Sequence, residues 1–140
     1  MPKLSRWYVK TALGYLALAL LLGVALVWPT ETAGWRVWQG LFWPVWIHLL
    51  TVGWLTQLIF GVAFWLFPRH SRMRPYGPQQ LAWTAYPLLN AGILLRLFAE
   101  PAIAWTASPL WRGLAGLSAA FQWVAGTLMA VYLWTRVKQR

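Results

Sequence analysis

Apolar residues dominate four stretches of the sequence, separated by segments in which Arg, Pro, Gly, Thr and Gln collect. The stretches run over Trp7–Trp28, Pro44–Phe67, Gln80–Ala99 and Leu110–Trp134. Each is about 20 residues or longer, the length at which an α-helix rising ~1.5 Å per residue crosses ~30 Å of hydrocarbon. None shows the period-2 alternation of a barrel strand. Lipid offers no partner to an unpaired backbone group, so the stretches are predicted as transmembrane helices. The first is longer than the apolar core of a signal peptide and carries no convincing small-x-small cleavage site. Short connections force antiparallel neighbours. The expected fold is all-α: a single domain over residues 1–140 forming an integral membrane four-helix up-down-up-down bundle.

The segments between the stretches refine this. Pro29–Trp43 mixes Trp, Val and Leu with Thr, Glu, Arg and Gln, and is expected to lie along the membrane interface as a short amphipathic turn. The second connector holds His70 beside arginines, prolines and a glycine, which reads as a solvated loop with a surface histidine. The third, around Glu100–Pro109, is short. No internal repeat is present, which argues against an inverted-repeat transporter.

Composition agrees with a membrane protein. Apolar residues make up 60 % of the chain and charged residues 10 %, against roughly 25 % charged in soluble domains. The net charge of +10 resembles a nucleic-acid signature until its placement is considered. Lys3, Arg6 and Lys10 sit at the start of helix 1, Arg69, Arg72 and Arg74 follow helix 2, and Arg136, Lys138 and Arg140 end the sequence. The other two connectors hold only Arg36 and Arg112. This asymmetry predicts both termini and the middle connector on the cytoplasmic side. It leaves no basic domain for nucleic acid, and the partner it implies is the lipid bilayer with its anionic headgroups.

The absence of cysteine excludes disulfides, thiolate metal sites and iron–sulfur clusters. Two acidic residues leave almost no room for paired-carboxylate catalysis, and no independent enzymatic activity is expected. The lack of Asp, the single Asn and the excess of Arg over Lys point toward a thermophile or a GC-rich genome. Thirteen tryptophans are expected mainly as interfacial anchors. Trp28, Trp35, Trp38, Trp43, Trp46, Trp105 and Trp111 fall at the outer boundary, and Trp7, Trp65, Trp83 and Trp134 at the inner one.

Polar residues inside the helices are the candidate chemistry. With Pro44 as a first-turn residue, His48 lies about 6 Å from the outer end of helix 2, and Arg96 about 6 Å from the outer end of helix 3. The two are expected in one layer, with Arg96 and Glu100 paired at i,i+4. Gln57, Asn90 and Gln122 lie deeper and are expected to hydrogen-bond between helices. Gly53 and Gly61 share the face of Gln57 and would admit a close neighbour. An intramembrane histidine is a functional candidate because polar groups in lipid are costly. His48 could equally serve as an interhelical hydrogen bond.

His48, Trp54, Gly61, Trp65 and Pro68 stand in order along one helix running from outside to inside. This pattern resembles the second transmembrane helix of subunit I of the heme–copper oxidases, particularly the nitric oxide reductase branch. The resemblance covers about 25 of 140 residues. It implies that His48 is an axial ligand to the iron of a heme b, and that Arg96 could hold a propionate by bidentate hydrogen bonds. The family's subunit has many more helices, and its other metal ligands lie on helices with no counterpart here. Reduction of oxygen or nitric oxide by this chain alone is therefore not implied. A homodimer with His48 from each chain would supply two ligands at equal depth. The expectation is a small b-type heme protein of the bacterial inner (plasma) membrane, linked to respiratory electron transfer or to heme or gas handling. The alternative is a cofactor-free accessory subunit of a larger respiratory complex. A small-solute transporter is a third, weaker reading.

Overall fold

A computed structural model describes residues 1–29, 32–68, 73, 76–106 and 108–137. His70, with Arg69, Arg72, Arg74, Lys138 and Arg140, lies outside the described residues. The chain is all-α. Helix α1 spans Lys3–Val27, α2 spans Ala33–Leu66, α3 spans Gln80–Thr106 and α4 spans Pro109–Val137. All four are long and apolar enough to cross a membrane, and they pack antiparallel as a four-helix bundle.

Two boundaries differ from the sequence expectation. Helix 2 does not begin at Pro44. It begins at Ala33, so most of the expected interfacial segment is helical and Pro44 lies inside α2. Pro44 leaves only the carbonyl one turn earlier without its usual donor, and side chains hold the added turns. Trp35 and Trp38 stack at 4.7 Å between ring centroids, as do Trp38 and Phe42. This i, i+3, i+7 spacing places the three rings along one helix face. Gln39 Nε2 donates to the Leu26 carbonyl at 2.7 Å, tying the new turns to the end of α1. Helix 3 likewise does not stop at Ala99. It runs through a buried Pro101 to Thr106. At 34 residues, α2 is about 50 Å long and exceeds the ~30 Å apolar layer.

Within α2 the residues Leu49–Thr56 form a π-helical stretch that starts directly after His48. The Thr56 hydroxyl donates to the Thr51 carbonyl, five residues back, at 2.8 Å. Such wide turns shift the facing of every residue beyond them and concentrate at functional positions.

Two close crossings organise the bundle, each built from a serine and a glycine. On α1, Ser5 donates to the Gly61 carbonyl at 2.6 Å. A Cβ added at Gly61 would meet the Tyr8 Cβ at 2.8 Å, and one at Gly53 would meet Tyr15 at 3.0 Å. Ser118 on α4 donates to the Gly92 carbonyl of α3 at 2.7 Å, where an added Cβ would meet the Gln122 Cγ at 2.8 Å. Small residues let the backbones approach, and the hydroxyl then reaches the facing carbonyl. Tyr8, Tyr15, Phe64, Leu89, Ile93, Met129 and Tyr132 fill the core between them.

Trp46 has a different place from the one expected of an interfacial anchor. Its indole Nε1 donates to the Ala19 carbonyl at 2.9 Å and packs over Gly23, so it locks α1 to α2. Trp7, Trp28, Trp105 and Trp134 are exposed near helix ends, as anchors are.

Candidate functional site

His48 faces α3. Its Nδ1 lies 2.9 Å from the Pro44 carbonyl oxygen. A carbonyl can only accept, so Nδ1 carries the proton in this bond. The same nitrogen is 3.7 Å from Glu100 Oε1. Arg96 Nε donates to that oxygen at 2.7 Å. The expected layer of His48 and Arg96 therefore exists, with Glu100 between them. In the neutral ring a protonated Nδ1 leaves the Nε2 lone pair available, the tautomer found when a histidine ligand is fixed by a carbonyl behind it. Nε2 has no protein hydrogen bond among the described residues, and the side chain retains 28 % exposure.

Glu100 constrains the chemistry of Arg96. The carboxylate holds Nε, while the η nitrogens have no partner among the described residues. Glu100 Oε2 is buried without a partner among the described residues. The guanidinium keeps donors for an anionic group, but a negative charge beside it also meets Glu100.

Space decides the fit of a heme. The crevice lined by Val45, His48, Leu49, Ile93, Arg96 and Leu97 is closed, with a free volume of about 0 Å³ and no room even for a water molecule. Pockets for large ligands span roughly 300–1,000 Å³. The donor set suits a b-type heme, whereas one chain does not enclose it at His48. A larger apolar groove of about 530 Å³ lies between α1 and α2, lined by Ala19, Gly23, Val24, Trp46 and Leu50 among others, and His48 does not reach it.

Protein-family models, curated proteins and solved structures gave no match to the chain. The site is therefore read from its own geometry. Among the described residues, no three His, Cys, Asp or Glu side chains gather to bind a metal ion.

The deeper polar residues follow the expectation in part. Asn90 bridges helices, accepting from Tyr15 OH at 3.0 Å, while its Nδ2 donates to the Tyr86 carbonyl at 2.8 Å. Gln122 donates within its own helix, to Ser118 Oγ at 3.2 Å. Gln57 is fully buried, and neither carboxamide atom has a partner among the described residues. It lies where the π-helical stretch returns to α-helix.

Arg136 was legible in the sequence only as one more charge at the end of the chain. It is 2 % exposed. Its Nη1 donates to the Phe64 carbonyl at 2.6 Å, Nε to the Pro68 carbonyl at 3.0 Å, and Nη2 to the Phe67 carbonyl. The rings of Phe64, Tyr76 and Tyr132 surround the guanidinium at 5.7–5.9 Å. Helix α2 ends at Leu66, so the guanidinium supplies donors that its last turn lacks. The nearby aromatic residues at 64, 76 and 132 were the available signal.

Proposed function

We propose that the chain is a small b-type heme-binding protein of a bacterial plasma membrane, with both termini on the cytoplasmic side. His48 serves as the axial ligand through Nε2. The observation that carries this reading is the hydrogen bond from Nδ1 to the Pro44 carbonyl, which fixes the ring and leaves Nε2 without a protein partner. Because one chain encloses too little volume beside His48, the heme belongs at an interface, and a homodimer contributing His48 from each chain is the simplest way to form it. Arg96 offers η donors to a propionate. A heme bound there would supply one-electron chemistry for respiratory electron transfer or for heme or gas handling. The chain's own residues supply orientation, an apolar surround and the fixed tautomer.

The test is the visible spectrum of protein purified in mild detergent from a heme-replete host. A Soret band lost in His48→Ala supports the reading. Colourless wild-type protein overturns it.

The small volume beside His48 favours a second reading, a cofactor-free accessory subunit of a larger respiratory complex. There His48 is one member of the Arg96–Glu100 layer joining α2 to α3. Co-purification of a stoichiometric large partner, with no heme on this chain, would distinguish it.

A further inference from the structure

At the opposite end of the bundle from Glu100, α1 and α3 form a groove of about 630 Å³ lined by Lys3, Arg6, Trp7, Lys10, Thr11 and Tyr86. Lys3 and Lys10 are seven residues apart, two helical turns to within about 20°, and Arg6 lies between them on the same side. Three positive charges thus converge on one groove. A membrane-orienting charge bias requires only that cations lie on the right side of the membrane; it does not require that they share one helix face.

Among the described residues, no side chain neutralises them. Lys3, Arg6 and Lys10 make no ion pair and no side-chain hydrogen bond among the described residues. The sequence has two acids, Glu31 and Glu100. Glu100 is occupied by Arg96 at the opposite end of the bundle, and Glu31 lies outside the described residues. Like charges at i,i+3 and i,i+4 repel along a helix, so this arrangement is relieved by an external anion.

The groove walls define the anion's surroundings. Thr11 Oγ1 donates to the Trp7 carbonyl at 2.8 Å. Its contact of 2.7 Å with Tyr86 OH is then a bond from the tyrosine to the threonine. Both hydroxyl protons are committed, and the charged donors lining the groove are the three cations. Trp7 stands edge-on to Tyr86 at 5.9 Å and is 56 % exposed, an aromatic wall at the level where interfacial tryptophans sit. Lys10 lies about 10 Å further along the helix than Lys3, deeper than a headgroup phosphate, and its stem must rise toward the interface. Beyond it, Gly14 leaves an open surface beside the exposed Leu13 and Leu18, suited to an acyl chain.

We propose that this groove binds the phosphodiester of an anionic phospholipid, with Lys3, Arg6 and Lys10 on the phosphate and Trp7 against the glycerol backbone. Basic pockets between transmembrane helices are known forms of such recognition. The site is independent of any heme at His48, which lies on α2 beside Glu100 at the opposite end of the bundle.

The experiment titrates the detergent-solubilised full chain with phosphatidylglycerol, phosphatidylcholine and inorganic phosphate, reading bound lipid by native mass spectrometry. Phosphatidylglycerol should bind about tenfold more tightly than phosphatidylcholine, and inorganic phosphate should not displace it. Lys10→Gln should weaken phosphatidylglycerol about fivefold, and Lys10→Arg should keep it within about twofold of wild type. The triple Lys3→Gln, Arg6→Gln, Lys10→Gln variant should lose the preference. Arg112→Gln, on α4 away from the groove, should retain it. Helical content by circular dichroism confirms that the variants fold. Equal affinity for the two lipids, a preserved preference in the triple variant, or displacement by inorganic phosphate would overturn the proposal; the last outcome marks a simple anion site.

Discussion

Glu100 Oε1 accepts from Arg96 at 2.7 Å and lies 3.7 Å from His48 Nδ1, so one carboxylate oxygen joins α2 to α3. Glu100→Gln removes the counter-charge from Arg96 while keeping its size. The expected cost is about 1–3 kcal/mol, because both side chains are mostly out of solvent but not sealed. Thermal unfolding in detergent should show a lowered midpoint. Arg96→Met in the Glu100→Gln background should recover part of it.

Arg136 supplies donors to the carbonyls of Phe64, Phe67 and Pro68. Arg136→Met keeps much of the packing and leaves these acceptors without a donor. A loss of about 3–5 kcal/mol is expected. Arg136→Lys should recover less than half, because an ammonium cannot reproduce the planar fork. Chemical denaturation followed by tryptophan fluorescence measures both.

The glycines divide into two sets. An added Cβ meets Tyr8 at 2.8 Å at Gly61, whereas at Gly116 it meets nothing within 4 Å. Gly61→Ala should destabilise by about 1–3 kcal/mol through overpacking of α1 on α2. Gly116→Ala should be neutral or stabilise by up to about 1 kcal/mol through helix propensity. Equal shifts in melting temperature would contradict the close approach of α1 to α2.

Gln57 and Asn90 provide a second contrast. Asn90 is hydrogen-bonded through both carboxamide atoms, and Asn90→Leu should cost about 1–2 kcal/mol. Gln57 is buried with neither atom paired among the described residues. Gln57→Met should stabilise by about 1–3 kcal/mol by removing unsatisfied polar atoms. A large loss instead would show that the carboxamide at the end of the π-helical stretch has a partner in the membrane-embedded protein.

The number of spans, their antiparallel order and the His48–Arg96–Glu100 layer were legible because lipid imposes length and apolarity, and because i,i+4 geometry is local. The start of α2 was not. Residues 33–43 are rich in Trp and carry Arg36 and Gln39, so hydropathy separates them from the span although they continue its helix. Pro44 was expected in a first turn and Pro101 falls within the expected third connector, but each removes only one donor and both are accommodated inside helices. The π-helical stretch after His48 leaves no mark in periodicity, since apolar residues surround it on every face. Arg136 was hidden by the charge bias that its neighbours create. At His48 itself the residue type and depth could be read, but the small enclosed volume could not, because it depends on how tightly α2 and α3 approach.

The most direct test of the central claim is the heme-to-protein ratio of the purified membrane protein, measured by absorbance against quantitative amino-acid analysis, with His48→Ala alongside. The account predicts a Soret band, one heme per pair of chains, and loss of that heme in the variant. Wild-type protein from a heme-replete host that carries no heme, or a ratio unchanged by His48→Ala, would contradict it.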